Sequence, residues 1–114
     1  FLNKRLADMI AYAKKADLVK LAGKVRNEDD VRTLLNVSAR IGSKKRVAVM
    51  GMGPLGTASR LAAPIFKSSL LYGFIGAPTA SGQLPFRELL ERMRALYPGY
   101  EAGFLNRQKE MRSA

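Results

Sequence analysis

The sequence contains no cysteine and no histidine. Without cysteine there is no disulfide framework and no thiolate metal site, a composition that fits a reducing compartment. Without histidine, these 114 residues hold no Ser-His or Cys-His dyad and no imidazole metal ligand. Apolar runs are also short: none approaches the roughly 18 residues of a membrane helix. The N-terminal segment carries charges throughout and does not read as a secretory leader. These absences point to a cytoplasmic chain with no membrane partner. Acidic residues are scarce over half the length. None occurs between Asp30 and Glu88, a stretch that holds Arg32, Arg40, Lys44, Lys45, Arg46, Arg60, Lys67 and Arg87. The net charge of +11 favours anionic partners, from nucleic acid to a small carboxylate. A solvated basic surface accounts for most of the same residues.

What is present is an ordinary globular balance, 47% hydrophobic and 25% charged, in a length that suits one domain or a piece of one. The chain starts at Phe1 rather than Met, which reads as a processed or excised piece. Leu2, Leu6, Met9, Ile10 and Ala13 recur at helical spacing and predict an amphipathic helix over 2–15. Residues 17–23 read as a short buried strand. Asn27 is a good N-cap, and Glu28, Asp29 and Asp30 suit the positive end of a helix whose inner face is Val31, Leu34, Leu35, Ser38 and Ile41, stopped by Gly42. Residues 47–50 form a second apolar run. A glycine-rich loop then leads into a helix near 57–66, with Pro64 inside to shorten or kink it. A third strand is expected over 70–75. Pro85 opens a last helix with Phe86, Leu89, Leu90, Met93 and Leu96 on one face, broken by Pro98-Gly99. The tail from Tyr100 reads as a further short helix.

Strands alternating with helices mean parallel strands covered by helices. A doubly wound sheet and a segment of a (β/α)8 barrel both fit. Three strands cannot close a barrel, which takes about 250 residues, so on the second reading the rest lies outside these residues.

Two motifs carry chemistry. Gly51-Met-Gly-Pro-Leu-Gly56 is a formal dinucleotide fingerprint after a strand and before a helix. The acidic residue that should follow about 20 positions later is missing, so glycines serving a tight turn explain the loop better. Lys20 lies on the first strand between Val19 and Leu21, and it points to the face opposite to theirs. If that face is a barrel interior, burial disfavours the ammonium and leaves a free amine to attack a ketone. If it lies near a strand end, the side chain simply reaches water.

Read together, three segments resemble type I 3-dehydroquinate dehydratases. Asp17-Leu-Val-Lys20-Leu-Ala resembles the family's Schiff-base strand. Met50-Gly-Met52-Gly-Pro-Leu-Gly56-Thr-Ala-Ser59-Arg60-Leu-Ala resembles the next strand and its Gly-x-x-Ser-Arg signature. Ser69-Leu-Leu-Tyr72-Gly73, with Thr79-Ala-Ser-Gly82-Gln83, resembles the last strand and the substrate loop. The likeness covers roughly residues 16–94.

The resemblance implies a fold: parallel βα units forming the C-terminal half of a (β/α)8 TIM barrel over residues 1–97, with a tail or linker over 98–114. It implies a lyase of the shikimate pathway that turns 3-dehydroquinate into 3-dehydroshikimate with no metal or cofactor. Lys20 would form the imine and Arg60 would hold the substrate carboxylate. Gln83 and Thr79 would bind the substrate from the loop, Met52 would pack beside the imine, and Tyr72 would fill an aromatic position. The family's general acid/base is a His on the strand before that of Lys20, and this chain has none. A fragment inactive alone is therefore expected, paired with the missing N-terminal half-barrel or a second copy in a homo-oligomer. The alternative is a degenerate basic half-barrel that binds nucleic acid or an assembly.

Overall fold

The computed structural model describes Asp8, Ala11 and residues 13–100. The helix expected over 2–15 and the tail beyond Tyr100 fall largely outside them. A 3-10 turn at Ala13–Lys15 leads into strand β1, Leu18–Lys24. Helix α1, Glu28–Gly42, returns to strand β2, Arg46–Met52. Helix α2, Gly56–Ala62, follows, and helix α3, Phe86–Leu96, closes the described fold.

Helix α1 starts as its sequence requires. The Asn27 side chain accepts from the Asp30 backbone N–H at 2.9 Å, and Asp30 Oδ2 accepts from the Arg26 N–H at 2.9 Å. Two otherwise orphaned donors are thus satisfied reciprocally. Leu34, Leu35, Val37, Ser38 and Ile41 are its buried residues.

The strands β1 and β2 are parallel, in register from Leu18↔Arg46 to Lys24↔Met52. Side chains alternate between faces. Val19, Leu21, Val47 and Val49 share one face, where α1 and α2 pack and where Val25, Leu34, Leu35, Val37, Ile41 and Ala63 complete the core. Lys20, Ala22 and Lys24 share the other face with Ala48, Met50 and Met52. Strand β2 is buried from Val47 to Gly51, as expected of a strand with cover on both sides.

Three expectations change. The helix near 57–66 is α-helical only to Ala62 and continues as a 3-10 turn, Ala63–Phe66. Pro64 has no N–H to give and its ring crowds the carbonyl four residues back, so the chain tightens and leaves through Lys67 at φ 70. The third strand over 70–75 does not form as a regular strand. Ser68 bridges to Val47, and Phe74 bridges to Pro85. The Ser69 N–H donates to Val47 O at 2.7 Å, but the Ser68 hydroxyl, not a carbonyl, accepts from the Val49 N–H at 3.1 Å. A side chain has taken the place of the next ladder acceptor. Beyond it no further bridge to β2 forms among the described residues, and Leu70 and Tyr72 stand exposed. The last helix also departs from its expected face: Leu89 and Met93 are buried, whereas Phe86 and Leu96 are 53% exposed.

Among the described residues no helix is long and apolar enough to cross a membrane.

Candidate functional site

The turn between β2 and α2 is built on Gly51. Its N–H donates to the Ser59 hydroxyl at 3.1 Å, and that hydroxyl donates on to Gly56 O at 2.7 Å. The Gly51 carbonyl accepts from Arg60 Nε at 3.1 Å. Adjacent residues of α2 therefore hold both backbone groups of one glycine, which gives the Ser-Arg pair a physical meaning. The sequence reading left Ser59 without a role; its signal was a hydroxyl three residues after a glycine at a helix start.

Arg60 is 4% exposed. Its Nη1 and Nη2 are buried without a hydrogen-bond partner. Burial pushes its pKa below the usual arginine value. A guanidinium keeps its charge nonetheless, so the site holds a buried cation with its bidentate fork unpaired. Such an arrangement suits the two oxygens of a carboxylate.

The glycines of this loop serve packing. A Cβ on Gly56 would stand 2.6 Å from Gly51 O, and one on Gly82 would stand 3.2 Å from the Thr57 nitrogen. Thr57 Oγ1 donates to Gly82 O at 3.0 Å. The backbone of the 79–83 loop thus occupies the start of α2, where a dinucleotide would have to place its pyrophosphate.

Gln83 organises that loop. Its Oε1 accepts from the Thr79 N–H at 2.9 Å, the Thr79 hydroxyl at 3.0 Å and the Ala80 N–H at 3.3 Å. Gln83 and Thr79 are therefore partners of each other, and the Gln83 amide NH2 remains available to a ligand. Through Gly82 the loop rests against the helix that carries Arg60.

Lys20 sits mid-strand on β1 and is exposed, with Nζ 4.8 Å from the centroid of the Tyr72 ring. The aromatic position and the amine are thus brought together, as a cation–π contact. Lys20 pairs in register with Ala48, three residues before Gly51, which sets the amine-bearing position about 10 Å along the sheet from the Arg60 anchor. Met52 is half-buried opposite Lys24, two residues beyond Met50. Met50, buried and opposite Ala22, is the nearer methionine to Lys20 on the shared face.

These features define a parallel α/β unit with an amine on one strand and a buried, half-paired guanidinium at the C-terminal turn of the next. The chain belongs to the type I 3-dehydroquinase family, whose model matches residues 2–99. It is 40% identical over 83 residues to the 3-dehydroquinate dehydratase of Methanocella arvoryzae, covering 73% of this chain and 37% of that protein. With the 3-dehydroquinate dehydratase of Lactiplantibacillus plantarum it shares 38% over 95 residues, 82% of this chain and 37% of that one. The fold is similar to the crystal structure of type I 3-dehydroquinate dehydratase from Clostridium difficile with covalently modified comenic acid, at TM-score 0.72 and 29% identity, covering 84% of this chain and 40% of that chain. The 3-dehydroquinate dehydratase of Geobacillus kaustophilus gives TM-score 0.75 at 26% identity, covering 82% and 38%. The chain thus spans little more than a third of the length of these relatives.

Proposed function

We propose that this chain supplies the Schiff-base amine and the carboxylate clamp of a 3-dehydroquinate dehydratase, and that the proton-transfer group comes from outside these residues. The observation that carries the reading is the Arg60 fork, buried with Nη1 and Nη2 unpaired. A buried unpaired charge is costly, and a substrate carboxylate would supply the missing acceptors. Lys20 would condense with the substrate ketone and release water. The resulting imine withdraws electrons, so a proton on the adjacent carbon leaves more readily and the hydroxyl beyond it departs as water. Hydrolysis of the imine then frees 3-dehydroshikimate and the amine. Gln83 and Thr79 would close the loop over the substrate, and Tyr72 and Met50 would flank the imine, with Met52 further toward the strand end. Lys20 is exposed in this unit, so the walls that enclose the substrate around it would come from the rest of the barrel. The covalently modified acid in the Clostridium difficile relative supports a covalent step.

Borohydride reduction in the presence of 3-dehydroquinate tests this directly. Peptide mapping should find the added mass on Lys20, and Arg60→Met should reduce the labelling. A label on other lysines but absent from Lys20 in folded protein would reject the assignment.

A further inference from the structure

We propose that the end of the sheet opposite the Arg60 turn is a docking surface for the phosphate backbone of a nucleic-acid duplex, bound without reading its bases. The active-site reading uses the C-terminal ends of the strands. The excess positive charge gathers at the N-terminal ends. Lys14 and Lys15 precede β1, Lys44 and Arg46 lead into β2, and Lys67 precedes the Ser68 bridge to β2; all five are exposed. Arg40 adds a cation in the last turn of α1.

The three loops touch. Lys45 Nζ donates to Lys14 O at 2.6 Å, joining the first loop to the second. Arg46 pairs in register with Leu18. Lys67 packs its Cβ so close over Gly42 that a Cβ there would stand 2.5 Å away. Neighbouring strands lie about 4.8 Å apart, so the cations form one compact field. Asp17 is the one acidic residue on these loops.

Lys67 adds a second observation. It is the one non-glycine residue with positive φ among those described, at φ 70. Glycine would adopt that conformation without strain, yet the position carries a long cationic side chain. No aromatic residue stands on these loops, so base stacking has no platform and the available chemistry is phosphate contact. A partner that presents closely spaced phosphates along one axis matches a compact cationic patch.

The experiment measures binding of the whole chain to two 20-base-pair RNA duplexes of unrelated sequence over a salt series. Four phosphate contacts predict a log–log salt slope near −3.6, equal for both sequences, from about −0.9 per contact. Lys44→Gln should weaken binding about fivefold at 0.15 M salt and reduce the slope by about one. Lys67→Gly should weaken binding similarly while leaving the melting temperature unchanged or higher, so loss of fold cannot explain the result. Arg60→Met, on the opposite end, should bind duplex as the parent does. Duplex binding insensitive to Lys44→Gln and Lys67→Gly, or tighter binding to anionic phospholipid vesicles than to duplex, would overturn the proposal. None of these outcomes depends on imine formation at Lys20.

Discussion

Arg60 carries a charge into a place where one of its nitrogens has a partner and two have none. The bond from Nε to Gly51 O is worth about 1 kcal/mol, whereas an unpaired buried charged group costs about 1–3 kcal/mol or more. The sign of its titration agrees. Burial lowers the folded-state pKa of this base, so the protonated form is penalised below that pKa, and the penalty is relieved only as pH rises through it. At neutral pH the penalty is fully present. Arg60→Met should therefore leave the free protein as stable as the parent or more so, with no dependence on pH between 5 and 9. Parallel thermal melts with and without 3-dehydroquinate check this: ligand should raise the parent's melting temperature and leave the variant's unmoved. A large loss of stability in the unliganded variant would mean that the arginine is structural. Ser59 is a counterpart with every bond made, holding the turn from which the guanidinium projects.

Among the elements, β2 and its glycine turn are the most constrained. A Cβ on Gly56 meets backbone at 2.6 Å, and backbone cannot swing aside as a side-chain end can. Gly56→Ala should cost about 1–3 kcal/mol in urea denaturation, whereas Gly99→Ala, with nothing within 4 Å, should change stability by less than about 0.5 kcal/mol. Much of this architecture was legible beforehand. Asn27 with the acids after it announced α1, the run from Val47 announced a buried strand, and the absent acid after Gly56 weakened the dinucleotide reading. The third strand was misjudged because an apolar run states a preference for burial, not the presence of neighbours. Among the described residues the segment from Leu70 makes no further bridge to β2, and the Ser68 hydroxyl interrupts the ladder at the outset. Pro64 did announce a disturbance, but whether a helix kinks or tightens depends on what receives the chain, here Lys67 in a left-handed conformation. At the site, the motif spacing proposed Lys20, Arg60, Gln83, Thr79, Tyr72 and Met52; the structure sets Lys20 beside Tyr72 and Thr79 on Gln83. In register Met50 lies nearer to Lys20 than Met52 does, a relation between strands that spacing along one segment does not state.

At the scale of the whole molecule, large apolar side chains stand exposed among the described residues. Leu70 is 43% exposed, Ile75 90%, Phe86 53% and Leu96 53%. A cleft of about 470 Å³ lies between the 68–73 segment and α3, lined by Leu70, Leu71, Leu89 and Met93 among others. One edge of β1 and the outer side of the 69–75 segment also lack a neighbouring strand among the described residues. Free edges and apolar faces of this kind drive association. The relatives are about twice as long as this chain, and we propose that a half-barrel of complementary strands covers both edges at once. Two consequences can be measured together. Alone, the chain should elute above its monomer mass and dehydrate 3-dehydroquinate about 100- to 10,000-fold more slowly than a full-length relative, the usual contribution of general acid/base catalysis, since it contains no histidine. Mixed with the N-terminal half of the Methanocella arvoryzae relative, it should form a one-to-one complex and regain activity that Lys20→Ala abolishes. A well-folded monomer at low concentration that turns over substrate unaided would show instead that the edges are capped and that some group among these residues moves the proton.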